Sequence, residues 1–166
     1  MIRGDANAMR RRLLLSCAVI LACVIFSTAP AIAQSIESAR DLARSAGDAA
    51  RARVPLLLFF SQPDCPYCEQ ARREYLGPMN AAPAPRVRMV EIDISSDAAL
   101  IDFAGLRTTH RAFAAAQRVR FVPVVDFVDA RGRPIANRLI GLTVPDFYQS
   151  YLDQRIEQAQ ARLTGR

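Results

Sequence analysis

Five large apolar residues in a row, Leu56-Leu57-Leu58-Phe59-Phe60, run into Ser61-Gln62-Pro63-Asp64 and then Cys65-Pro66-Tyr67-Cys68. A short apolar run without polar alternation fits a strand buried on both faces, the pattern of a central strand with helices on either side. Ser61-Gln62-Pro63-Asp64 breaks the run. From Cys65 to about Leu76 the chain reads as a helix, ended by Gly77-Pro78. Two cysteines three residues apart therefore sit where a buried strand hands over to a helix.

That location favours thiol chemistry. A helix N-terminus presents unpaired N–H groups and a partial positive charge, which stabilise a thiolate. Cys65 is placed to be the nucleophile. Cys68, one turn later, is placed to attack the mixed disulfide that Cys65 forms and so resolve it. Pro66 suits the first turn, where its missing N–H costs little. Tyr67, between the two sulfurs, is expected to shield them in part. A purely structural disulfide closes too small a loop to constrain the unfolded chain much. A zinc site needs about four ligands; beyond this pair there is one histidine, His110, and no second cysteine pair outside the N-terminal segment, so no metal is expected. Covalent haem attachment needs a histidine directly after Cys68, where Glu69 stands. No separate cofactor is expected: the redox-active disulfide Cys65–Cys68 takes that role.

The rest of the chain alternates helix and strand. Ile36 to about Arg51, rich in alanine, reads as a lead-in helix. Val87 to Ile94 reads as a second strand, and residues 95–109 as a short helix plus a hairpin-like excursion. Arg111 to about Gln117 reads as a helix. Val124–Val128 reads as a third strand opened by Pro123, and Ile135–Ile140 as a fourth after the turn at Arg131-Gly132. A final helix is expected with Thr143 as N-cap, Pro145 in its first turn, Asp146 at the capping-box position, and Phe147, Tyr151, Leu152, Ile156, Ala159 and Leu163 along its inner side. This order makes an α/β fold with a central mixed four-stranded sheet flanked by helices. His110, with nothing to place it near Cys65, is expected at the surface or as a cap.

Arg10-Arg11-Arg12, the apolar run Leu13–Phe26 and Ala31-Ile32-Ala33 follow the order of a cleavable secretory signal. The expected organisation is a signal peptide at 1–33, a helical lead-in at 34–53 and one domain at 54–166. Met9 is an alternative start. A retained anchor, a lipid on Cys23 and twin-arginine export are the competing readings. Cleavage after Ala33 removes Cys17 and Cys23 and leaves Cys65 and Cys68 as the only cysteines, in an oxidising compartment. The location expected is periplasmic. The segment also explains half of the net charge of +6. All basic residues are arginine, which excludes catalytic-lysine chemistry. With the remaining arginines scattered among acids, nucleic acid is not an expected partner.

Together with Phe121-Val122-Pro123 about 55 residues after the cysteines, these motifs resemble the thioredoxin superfamily over roughly residues 50–155. The similarity is nearest to secreted thioredoxin-related proteins, including the SoxW-like group associated with sulfur oxidation. The dipeptide Pro66-Tyr67 is similar to that of glutaredoxins. The resemblance implies a cis Val122–Pro123 bond facing the redox pair, with the Val122 backbone pairing an extended substrate. It implies a cysteine-containing periplasmic client, by family analogy one from sulfur oxidation or cytochrome maturation, a membrane donor of thiol reductant, and a monomer. Three family features are missing. Phe59 stands where thioredoxin buries an acid that assists proton transfer, Asp64 replaces the tryptophan before the first cysteine, and Arg73 replaces the helix-kinking proline. Proton handling is left to water, Asp64, Glu69 or Glu74. A client-reducing enzyme, a disulfide-forming oxidant and a non-catalytic binding module are the functions this pattern allows.

Overall fold

In the computed structural model, which describes residues 35–165, the elements in chain order are α1 (Leu42–Arg51), β1 (Leu56–Ser61), α2 (Pro66–Gln70), a π-helical turn (Ala71–Leu76), α3 (Gly77–Asn80), β2 (Arg88–Asp93), β3 (Ala99–Ile101), β4 (Arg107–Thr109), α4 (His110–Ala116), β5 (Val124–Val128), β6 (Leu139–Ile140) and α5 (Pro145–Leu163). All six residues of β1 are buried. The reason is its place in the sheet, whose strand order is β2-β1-β5-β6. β2 runs parallel to β1, so the chain must cross over between them, and α2 through α3 is that crossover. β5 runs antiparallel to β1 and β6 antiparallel to β5. The mixed sheet with flanking helices is the architecture expected from the sequence.

Because strand side chains alternate, β1 divides its residues between two cores. Leu57 and Phe59 face a cluster with Cys65, Cys68, Ala71 and Leu76, completed by Tyr148, Leu152 and Ile156 of α5. Leu56, Leu58 and Phe60 face the other side, against Leu42, Ala46 and Ala49 of α1 and Phe113 and Ala114 of α4. The cysteine pair thus belongs to one face only.

Several boundaries differ from the sequence expectation, each for a local reason. The lead-in helix begins at Leu42, six residues later than Ile36, because Asp41 caps it through the N–H of Arg44 at 2.8 Å. Before that the chain is extended along β2, with Ala39 N–H to Glu91 O and Glu91 N–H to Glu37 O both 2.8 Å. Gly77-Pro78 does not stop the redox helix, which continues to Asn80. The preceding turn widens to π geometry, with the N–H of Gly77 reaching back five residues to Arg72 O. Such a bulge lets a helix carry a proline that cannot donate. Residues 95–109 hold the β3–β4 hairpin without the additional short helix.

The fourth strand shrinks from Ile135–Ile140 to Leu139–Ile140. Pro134 bridges Val128 and the Ile135 N–H still reaches Phe127 O at 2.9 Å, but then the pairing breaks: Asn137 N–H turns to the Gln158 side chain, and Arg138 reaches across to Asp126. Thr143 is not the cap of the last helix: Val144 holds that position, with no side-chain bond, and Pro145 opens the helix. The inner side of α5 is Tyr148, Leu152, Ile156 and Ala159, while Phe147, Tyr151 and Leu163 are exposed. Tyr148 takes the inward place by packing on Tyr75, with ring centroids 4.9 Å apart. The proposed signal segment at 1–33, including Cys17 and Cys23, lies outside the described residues. Among the described residues no helix is long and apolar enough to cross a membrane.

Candidate active site

The site lies at one end of the sheet, where β1 ends and β5 begins. Asp64 adopts a left-handed conformation (φ 55°), which turns the chain from the strand into the helix. Aspartate tolerates that region better than most residues. Cys65 is then the N-cap of α2 with Pro66 as first helical residue. The N–H of Cys68 donates to Cys65 Sγ at 3.1 Å, so the sulfur occupies the position where a capping oxygen normally sits. The two cysteines form a disulfide, with Cα atoms 5.2 Å apart. Their exposure is unequal: Cys65 is 8 % exposed and Cys68 0 %. Tyr67 is 61 % exposed, so its side chain stands largely in solvent and gives less cover than the sequence suggested.

Pro123 enters the site from β5. The register pairs Phe60 with Val124 and Val124 with Ile140, which brings the end of β1, Pro123 and the end of β6 into one row. The Val122–Pro123 peptide bond is cis. Pro123 O accepts the N–H of Gly141 at 2.8 Å, which fixes the proline from the far side. Val122 is half-buried and packs against the core that holds the cysteines as well as the opposite core. Phe121, beside it, is 76 % exposed.

Beneath the redox helix is a charge cluster that the sequence reading passed over. Phe59 pairs in register with Glu91 of β2, so both lie on the cysteine face. Glu91 accepts from Ser61 Oγ and from Arg72, whose Nε lies 3.3 Å from it; Arg72 also pairs with Glu69. The guanidinium lies 5.6 Å from the centroid of the Phe59 ring. Burial works against the Arg72 charge, but the bonds to Glu91 and Glu69 outweigh it and raise its pKa. The position that lacks an acid on β1 thus has one beside it on β2. Its signal was present in the alternation Val87, Met89, Glu91, where a carboxylate interrupts an otherwise apolar face. The acids named from sequence, Asp64, Glu69 and Glu74, are all exposed, and Glu74 is held by Gln70 and Arg73, which lower its pKa.

His110 is neither a surface residue nor a cap; it is 2 % exposed. Its Nδ1 accepts the N–H of Asp93 at 3.1 Å, which puts the proton on Nε2, 2.7 Å from Ala39 O. It staples the lead-in segment to the end of β2 and is not part of the redox pair's core.

The family model described as a thioredoxin-like domain matches residues 42–156. The chain belongs to the thioredoxin-like family. Among curated proteins no sequence matches it significantly. Solved structures share the fold of this thioredoxin-like chain at low identity. DsbH oxidoreductase aligns with a TM-score of 0.52 and 18 % identity, over 80 % of this chain and 92 % of that one. Thioredoxin O2 from Arabidopsis thaliana, in its oxidized state, gives 0.50 and 17 %, over 74 % and 96 %. A poplar thioredoxin h mutant gives 0.50 and 16 %, over 76 % and 90 %.

Proposed function

We propose that this chain is an exported thiol–disulfide oxidoreductase that reduces disulfides of periplasmic client proteins. The carrying observation is the asymmetric pair: Cys65 at the helix cap and partly reachable, Cys68 buried behind it. In the dithiol form the Cys65 thiolate attacks a client disulfide, forming Cys65–S–S–client and releasing one client thiolate. Cys68 then attacks the Cys65 sulfur, closing Cys65–Cys68 and releasing the second. Two electrons pass to the client, and the two protons lost by the cysteines balance its new thiols. The exposed Phe121 and the Val122 backbone beside Pro123 support strand-like pairing with an extended client segment. A membrane-borne dithiol donor would restore the reduced form, and a monomer suffices for this cycle. No metal or separate cofactor enters the cycle.

Between β2 and β5 lie only a hairpin and the seven-residue α4. That short connection leaves no room for the helical insertion expected of the superfamily's disulfide-forming oxidants, which favours the reductase. Couples of this kind span roughly −270 to −120 mV, about 7 kcal/mol. The reductase reading expects the Cys65–Cys68 couple near the low end in equilibrium with a glutathione or dithiothreitol buffer. A potential near about −120 mV assigns the chain to the oxidants. Disulfide turnover that survives Cys65→Ser removes the catalytic assignment, whereas the non-catalytic binding module expects no turnover even from the unmodified chain.

A further inference from the structure

The loop that delivers Val122 and Pro123 carries charge that the exchange chemistry does not use. α4 ends with the N–H of Val119 on Ala114 O at 3.0 Å and that of Arg118 on Ala115 O at 2.9 Å. This is a Schellman ending, whose left-handed position glycine normally fills. Here Arg118 fills it, at φ 57°. Val119 is buried in the core, and Arg138 Nη1 holds Gln117 O at 3.2 Å while its other nitrogens grip Asp126. The base of the loop is therefore fixed at two points. Beyond it Arg118, Arg120 and Phe121 are all exposed, within five residues of Pro123. Among the described residues neither Arg118 nor Arg120 has a carboxylate partner, a state shared with several other surface arginines such as Arg44 and Arg53, so both charges are free to meet a ligand.

We infer that this loop selects clients: it takes an extended segment in which an acidic residue and a large apolar residue lie next to the reacting cysteine. The inference rests on the exchange reading and names its substrate class. Two exposed cations, Arg118 and Arg120, precede the exposed Phe121 ring in the loop that leads into Pro123. An acidic side chain meets Arg118 or Arg120 as the apolar one covers Phe121. Rim charges of this kind act chiefly on the encounter rate and are screened by salt. Arg53 ends α1 in the same left-handed conformation, so the backbone geometry alone does not mark the loop. Its place just before Pro123, with the exposed Phe121 in the same loop, does.

The test uses the full chain in its dithiol form, reacted in single turnovers with disulfide peptides that differ only in a Glu-Phe, Gln-Phe or Lys-Phe flank. The expected result is a second-order rate about tenfold higher for the Glu than for the Lys peptide at low salt, shrinking at high salt. Arg118→Gly combined with Arg120→Gln brings the ratio close to one, and the control Arg44→Gln leaves it unchanged. Arg118→Gly alone lowers the ratio while raising Tm, since glycine suits the left-handed site, so lost preference is not lost folding. Equal rates for all three peptides, or a preference that survives the double variant, overturn the inference while the exchange reading stands. No reaction with any peptide overturns the exchange reading and this inference together.

Discussion

Each face of the sheet buries one carboxylate of a strand under an arginine, and the two pairs are built differently. On the cysteine face Glu91 shares its oxygens between Arg72 and Ser61, and Arg72 divides itself between Glu91, Glu69 and the Phe59 ring. On the opposite face Asp126 is gripped by two nitrogens of Arg138 alone, one of them at 2.7 Å, and that bond set raises the Arg138 pKa above its ordinary value although burial opposes it. The same face also holds His110, with both ring nitrogens used. One face is pinned by closed, fully used contacts. The other, under the disulfide, is held by a network in which Arg72 and Glu91 each divide their contacts among several partners. The division suits a site that must open and close a covalent bond on a fixed platform.

The comparison breaks most sharply at His110. His110→Ala strips the part-buried Asp93 N–H and the buried Ala39 carbonyl of their partners and opens a cavity, a loss of about 3 kcal/mol. Urea unfolding should show it as a lower midpoint. Arg138→Met comes next, at about 2 kcal/mol, because it strands the Asp126 carboxylate; a fully buried pair would lose more. It also frees Gln117 O, so the rate of exchange with peptide disulfides should fall while the equilibrium potential of the couple holds. Arg72→Met should cost about 1 kcal/mol, since Glu91 keeps Ser61 and some water. An Arg72→Met loss equal to that of Arg138→Met would erase the distinction between the faces.

The smallest effect lies at the turn after β5. Asp129 is partly buried, which opposes its charge, but the N–H groups of Arg133 and Arg131 and the Arg133 guanidinium outweigh this and lower its pKa. A lowered folded pKa means that stability is present above the unfolded value and is lost as pH falls through the folded one. Asp129→Asn should therefore cost under about 1 kcal/mol at neutral pH and flatten the decline of stability in acid. Differential scanning calorimetry between neutral and acidic pH reads both.

Much of this plan was legible beforehand. The unbroken apolar run of β1 marks a strand covered on both sides, and Cys65-Pro66 marks a helix start, because burial and capping are local constraints. What stayed hidden depends on partners distant in sequence. Phe59 meets Glu91 only through the parallel register. His110 is buried only because Ala39 and Asp93 converge on it. Residues 36–41 have helical spacing, yet the free edge of β2 draws them into extended pairing. Ile135–Ile140 has strand composition, but the turn of Asn137 toward Gln158 and the reach of Arg138 to Asp126 take its middle off the edge. Gly77-Pro78 reads as a stop because a π turn, which absorbs the proline, leaves no mark in composition.

The central claim is that Cys65 attacks and Cys68 resolves. The direct measurement is mass-spectrometric peptide mapping after the full-length Cys68→Ser and Cys65→Ser variants, each reduced, meet oxidised glutathione. The account predicts a stable glutathione adduct on Cys65 in the first variant and little on Cys68 in the second, with any adducts on Cys17 or Cys23 assigned separately. An adduct forming as readily on Cys68, or none on Cys65, contradicts it.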